Sequence, residues 1–144
     1  MTDAAERRAR EVGEAMWARD RASQELGMAL DEVRPGYARV RMRVRPDMLN
    51  GHGSCHGGLI FALADSACGH GCQASLPDGA AGFTTVELKA NYLGTVDRGE
   101  LWCEARLVHG GRTTQVWDAT VRADGPDGKA LALFRCTQLL LQSR

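Results

Sequence analysis

The sequence predicts an α+β domain in which an antiparallel sheet curls around one long apolar helix, with a further helix at the N-terminus. Three observations carry this. Good helix formers run without proline through the first 26 residues. A second stretch, from Gly57 to Ala74, is apolar and long enough for a buried helix, ending by Ser75. The remainder is β-rich and divided by turn chemistry.

Taken in order, residues 1–26 form an N-terminal helix whose apolar positions Val12, Met16 and Leu26 are sparse. Such a thin face packs across other elements rather than filling the core. From Tyr37 to Arg45 the period changes. Ala38, Val40, Met42 and Val44 alternate with Arg39, Arg41, Arg43 and Arg45, the pattern of a half-buried strand with one wet face. A solvated strand face explains this basic row better than a phosphate site does. Pro46 ends the strand, and a loop spans 47–55. After the helix, Leu76-Pro77-Asp78-Gly79 is a stop. Strands are predicted over Thr84–Leu93, Glu100–His109, Thr113–Arg122 and Ala130–Leu141. Gly110-Gly111 and Asp124–Gly128 are short enough for antiparallel hairpins.

With 144 residues, 44% of them hydrophobic and 25% charged, one domain spanning 1–144 is expected. Eighteen basic and eighteen acidic residues cancel. That balance argues against nucleic acid or an anionic membrane as principal partner, though a local basic patch can still hold a phosphorylated small molecule. The N-terminal segment has no apolar core of the kind a secretion signal needs, and the run Leu59–Ala64 is far too short to span a bilayer. Five cysteines, an odd number without an export signal, are expected to be reduced thiols in a cytoplasmic protein.

The chemistry concentrates in residues 50–65. A helix beginning at Gly57 offers unpaired N–H groups and the positive end of its dipole, and glycine leaves no side chain before a ligand. That arrangement can hold an oxygen turning negative. Asp65, among Leu63, Ala64, Ser66 and Ala67, is a carboxylate where burial is expected to raise its proton affinity. The eight residues from Gly57 to Asp65 span roughly 12 Å of helix. One chain therefore does not bring both groups to one atom, and a catalytic role for the pair implies a dimer.

The motif His56-Gly57-Gly58, continuing Leu59-Ile60-Phe61-Ala62-Leu63-Ala64-Asp65 and preceded by Asn50-Gly51-His52-Gly53, resembles the PaaI-type acyl-CoA thioesterases of the hotdog fold. The resemblance covers nearly the whole chain. Leu26–Gly36 is similar to the family's first strand and turn, Leu88–Leu93 to the strand after the helix, and His109–Thr114 to a later hairpin. It implies a sheet wrapped around the helix, dimers that often pair into tetramers, sites at the dimer interface and no cofactor. It further implies hydrolysis of (aryl)acyl-CoA, such as phenylacetyl- or hydroxyphenylacetyl-CoA, to free acid and CoA. In that picture the Gly57 N–H polarises the thioester carbonyl, Asp65 is base or nucleophile, and Asn50 places the carbonyl or water. His56 supports the turn or joins the chemistry. Gly58, Tyr92, Arg112, Thr113 and Thr114 contact substrate or CoA, although Arg112 also suits a solvated hairpin. An activated thioester needs no serine elbow, and Ser66 reads as packing. The chain departs from the family pattern at Cys68-Gly69-His70-Gly71-Cys72, where two glycines weaken a helix unless space is wanted.

His52, Cys55, His56, Cys68, His70 and Cys72 invite zinc, but no pair-plus-pair spacing appears, so no metal is expected. A hotdog hydratase or dehydratase would pair His52 or His56 with Asp65. A non-catalytic acyl-CoA binding module would leave Asp65 without a purpose.

Overall fold

The computed structural model describes residues 3–143. Two helices, α1 (Asp3–Trp17) and α2 (Arg21–Glu25), precede strands β1 (Met28–Arg34) and β2 (Tyr37–Arg43). A single 3-10 turn at Pro46–Met48 leads to the central helix α3 (Gly57–Ala74). Strands β3 (Ala80–Tyr92), β4 (Glu100–Gly110), β5 (Thr114–Ala123) and β6 (Ala130–Gln142) complete the chain. All six strands form one antiparallel sheet in the order β1-β2-β4-β5-β6-β3, so β1 and β3 are its edges.

The continuous N-terminal helix expected over 1–26 is two helices, and its first two residues lie outside the described ones. The break has a local cause. Asp20 caps α2 by accepting the Ser23 N–H (3.1 Å), and its other oxygen takes the Ser23 hydroxyl (2.7 Å) and faces His70 of α3 (2.9 Å). The central helix stops at Ala74, with Ser75 as its cap. Strand β3 begins at Ala80, four residues before the expected Thr84. At the β1–β2 hairpin, Pro35-Gly36 makes a turn in which Gly36 has φ +75°, conformation that suits glycine.

The apolar inner face of the sheet meets α3. Val40 and Met42 of β2, Leu101 and Cys103 of β4, and Trp117 and Val121 of β5 pack against Leu63, Ala64 and Ala67. Gly71 is a notch for Trp117, since a Cβ there would lie 2.7 Å from the indole ring. The Cys68–Cys72 segment thus trades helix propensity for close approach to the sheet. All five cysteines are free and buried. On β2 the arginine row faces outward into carboxylates: Arg39 binds Asp31 (2.6 Å), and Arg41 binds Asp31 (3.2 Å) and Glu100 (3.3 Å). No described helix is long and apolar enough to cross a membrane.

Wrapping is incomplete on one side. Gly58, Phe61 and Asp65, spaced as one helical stripe, stay exposed beside the edge strand β3, whose Val86 and Tyr92 are exposed as well. Asp65 is not sealed among its apolar sequence neighbours, because those neighbours point to the other side of α3.

Candidate active site

The N-terminus of α3 is built by its own histidine. His56 is the N-cap, and its Nδ1 accepts the Gly58 N–H at 2.9 Å. The Leu59 and Ile60 N–H groups return to the His56 carbonyl (2.9 and 3.3 Å). That leaves the Gly57 N–H as the unpaired donor of the first turn. Tyr92, from the far end of β3, fixes this turn from behind by donating its hydroxyl to the Gly57 carbonyl at 2.6 Å. Its ring lies close enough that a Cβ at Gly57 would sit 3.3 Å from it.

Asn50 organises the preceding loop. Its Oδ1 accepts the N–H groups of His52 (2.9 Å) and Ser54 (3.2 Å), while its backbone N–H bonds the Ser54 carbonyl (2.8 Å). The carboxamide nitrogen is the part of Asn50 left to meet a ligand. Asn50 and His52 line a cleft with Thr95 and Asp97, separate within one chain from the cleft that Asp65 lines.

Asp65 opens on a cleft of about 290 Å³ between α3, the start of β3 and the α1–α2 link. Met16, Leu26, Met28 and Phe83 give it apolar walls; Ser66 and His70 give it a polar side. Desolvation pushes the Asp65 carboxyl above its ordinary range, the Thr85 hydroxyl (3.2 Å) opposes this, and the charge of Asp20 adds to it. Ser66 is not mere packing: its hydroxyl meets that of Ser23 at 2.7 Å, and Ser23 in turn bonds Asp20. Burial favours the uncharged form of His70, lowering its proton affinity, while Asp20 works the other way. For Asp20, burial pulls the carboxyl up, but bonds from His70 and Ser23 win and hold it below the ordinary range. An ionised Asp20 only accepts, so His70 donates through Nε2, and its buried Nδ1 has no partner.

Arg112, Thr113 and Thr114 lie at the β4–β5 turn, outside the Asp65 cleft of the same chain. Their carbonyls are used locally: Arg112 accepts from Gln142 Nε2 (3.2 Å), Thr113 from the Leu140 N–H (2.8 Å) and Thr114 from the Gly111 N–H (2.9 Å). Both Arg112 and Thr113 are exposed. One chain therefore joins Gly57, Gly58, His56 and Tyr92 at one point and Asp65 at another, with Asn50 and the turn residues apart from both. Thr85, Gln138, Asp20 and Ser23 are not among the residues that the sequence singles out, and His70 is among them only as a residue that invites zinc; an inward glutamine on β6 is the one signal for Gln138.

Within one chain the loop histidines do not line the Asp65 cleft: His56 caps Gly58 through Nδ1, and His52 lines the cleft of Asn50. Among the described residues no three His, Cys, Asp or Glu side chains gather as metal ligands.

A family model described as the thioesterase superfamily matches residues 52–130. The acyl-coenzyme A thioesterase PaaI of Escherichia coli is 34% identical over 122 residues, covering 84% of this chain and 83% of that protein. The 1,4-dihydroxy-2-naphthoyl-CoA hydrolase of Listeria monocytogenes is 29% identical, covering 83% and 94%. Among solved structures, that of the E. coli PaaI protein from the phenylacetic acid degradation operon superposes with a TM-score of 0.88 at 29% identity, over 96% of this chain and 97% of its own. A thioesterase family protein from Silicibacter pomeroyi gives 0.83 at 30%, over 94% and 99%.

Proposed function

The chain belongs to the thioesterase superfamily as a PaaI-type acyl-CoA thioesterase of the hotdog fold, and on that footing we propose that its substrates are arylacyl-CoA thioesters, phenylacetyl- and hydroxyphenylacetyl-CoA among them. The observation that carries the substrate class is the lining of the Asp65 cleft by Met16, Met28, Phe83 and Ser66, and the one that carries the two-chain site is the separation of an unpaired N–H, at Gly57, from a carboxyl of raised proton affinity, at Asp65. They are too far apart along one helix, by about 12 Å, to serve a single carbonyl. Two chains related by a two-fold axis bring them together. The edge strand β3 supports such pairing: 13 residues long, it has a free edge and exposed Val86 and Tyr92, with Phe61 of α3 beside it.

In this dimer the thioester carbonyl oxygen takes the Gly57 N–H of one protomer. Asp65 of the partner subunit faces the carbonyl carbon through a water. Asp65 takes a proton from the water, the resulting hydroxide attacks, and charge collects on the oxygen held by the amide. The C–S bond then breaks, and the leaving thiolate of CoA recovers the proton from Asp65. A carboxyl raised above its ordinary range suits this proton shuttle. Asn50 contributes its carboxamide N–H₂, and Gly58, Tyr92 and His56 hold the first turn of α3 in shape. Arg112, Thr113 and Thr114 of the β4–β5 turn are assigned in this reading to the phosphates or pantetheine of CoA. The acyl group enters the cleft below Asp65. Met16, Met28 and Phe83 suit a ring, while Ser66 and the Asp20–His70 pair suit a hydroxyl on it. Both the E. coli and the Listeria relatives are named for acyl-CoA substrates, the latter's aromatic and hydroxylated. The protein is cytoplasmic in this proposal, and the dimers pair further into a tetramer.

Thiol release measured over phenylacetyl-, hydroxyphenylacetyl- and straight-chain acyl-CoAs tests the substrate class. The aryl thioesters are expected to show the higher kcat/KM, and a preference for straight chains would overturn the assignment.

A further inference from the structure

Behind Asp65 runs a chain of polar groups that the thioesterase mechanism does not use. Thr85 of β3 and Gln138 of β6 are direct cross-strand partners. The Thr85 Oγ1 lies 2.8 Å from Gln138 Oε1 and 3.2 Å from Asp65 Oδ1. On its other side, Gln138 Nε2 donates to Cys136 Sγ at 3.2 Å, and Gln138 is fully buried. A hydroxyl carries one hydrogen, and here two acceptors compete for it.

We propose that Thr85 is a positioning residue whose single hydroxyl hydrogen is shared between Asp65 and Gln138, so that it follows the charge on Asp65 during each turnover. This rests on Asp65 being the catalytic carboxyl. When Asp65 is ionised, the hydroxyl turns to Oδ1, steadies the carboxylate and aims its other oxygen into the cleft. When Asp65 has taken the proton from water on its cleft-facing oxygen, Oδ1 becomes the weaker acceptor and the hydroxyl hydrogen swings to the Gln138 carbonyl. Only the hydroxyl's choice of acceptor changes, and a buried Gln138 held by Cys136 keeps the alternative acceptor in place.

The competition has a sign. Without the Thr85 hydroxyl, ionised Asp65 loses a donor and binds its proton more tightly. Without the Gln138 carbonyl, Asp65 has that donor to itself and binds its proton less tightly. The other titratable groups around the site are Asp20 on the α1–α2 link, His70 bonded to it, Cys68 on α3, and Cys136 on β6 with Glu87 of β3 acting on it. All of these remain in both variants, and Cys136 loses a donor in each, Gln138 Nε2 in one and the Thr85 hydroxyl in the other, so it is the opposite signs of the shifts that report on the shared hydrogen.

The test is the pH profile of kcat/KM for Thr85→Val, Thr85→Ser and Gln138→Met, with Asp65→Asn alongside. Thr85→Val keeps the shape and strand propensity of the half-buried site; its acid limb is expected to move up by roughly one pH unit, with kcat down about tenfold. Thr85→Ser restores both, and Gln138→Met moves the limb down. If Asp65→Asn is inactive while Thr85→Val leaves the acid limb and kcat unchanged, the shared hydrogen is refuted and the catalytic carboxyl stands. Shifts of Thr85→Val and Gln138→Met in the same direction also refute it; should Gln138→Met not fold, the valine and serine variants decide alone. An active Asp65→Asn instead removes the carboxyl from the chemistry.

Discussion

Replacing Gly57 with alanine separates the chemistry of the α3 N-terminus from its stability. The backbone N–H survives the change, and the glycine's φ is not in the left-handed region, so alanine meets no backbone strain. What changes is space. The new Cβ lies 3.3 Å from Tyr92 Cζ and 3.4 Å from Cε1 and the hydroxyl oxygen, a few tenths of an ångström too close. Tyr92 is 48% exposed and its ring can retreat, but the 2.6 Å bond to the Gly57 carbonyl then weakens. That bond contributes about 1 kcal/mol. Alanine returns up to about 1 kcal/mol over glycine in a helix, less in the first turn. The two offset, and the melting temperature is expected to stay within a few degrees of wild type. Activity is another matter. The methyl group and the displaced Tyr92 ring crowd the first turn of α3, and a carbonyl held off the Gly57 amide loses an interaction of the kind whose removal costs about 10²- to 10³-fold in rate. Thiol release followed with a thiol-reactive dye, together with thermal unfolding, measures both. Near-normal kcat/KM in a folded Gly57→Ala protein would refute the placement of the thioester against this amide.

Asp65→Asn is expected to abolish thiol release while leaving the oligomer intact in size-exclusion chromatography; because desolvation disfavours the ionised carboxyl, the variant should unfold at or above the wild-type temperature near neutral pH. The sign for pH follows from the same group. Its proton affinity is raised in the fold, so folded Asp65 is ionised only above the usual carboxylate range, and kcat/KM should fall on the acid side at a higher pH than an unperturbed aspartate would give. His56→Ala removes the cap on Gly58 and should cost about 1 kcal/mol in denaturant unfolding, whereas His56→Asn, also a good cap, should recover both stability and turnover; failure of Asn to recover turnover would assign the imidazole to the chemistry. Gly71→Ala drives a methyl group to 2.7 Å from the fully buried Trp117 and should destabilise by about 1–3 kcal/mol.

Local periodicity was readable from the sequence, and tertiary compensation was not. The alternation over Tyr37–Arg45, the density of α3 and the glycine turns are short-range signals; the strand ends at Arg43, two residues before the expected Arg45, and the helix runs Gly57–Ala74. Strand β1, Met-Ala-Leu-Asp-Glu-Val-Arg, has no clean alternation and entered only through the family resemblance. The break before α2 has a local signal, Asp20 capping Ser23, which the run of helix formers masks; the bond from Asp20 to His70, fifty residues away, is the part that no local pattern reports. Asp65 misled by adjacency: Leu63, Ala64 and Ala67 are its neighbours along the chain but turn to the opposite face, while the stripe with Gly58 and Phe61 at helical spacing is what exposes it. Thr85 and Gln138 meet only through the β3–β6 register, which a sequence pattern does not fix.

The most direct test of the two-protomer site is complementation between disabled subunits. Gly57→Val and Asp65→Asn chains are each expected to be inactive as homodimers. Unfolded together and refolded, half the dimers are mixed, and each mixed dimer holds one site with a sound amide from one chain and a sound carboxyl from the other. Activity should return to about one quarter of wild type. A mixture as inactive as its components, with mixed dimers demonstrated by mass spectrometry, would contradict a site shared across the two-fold.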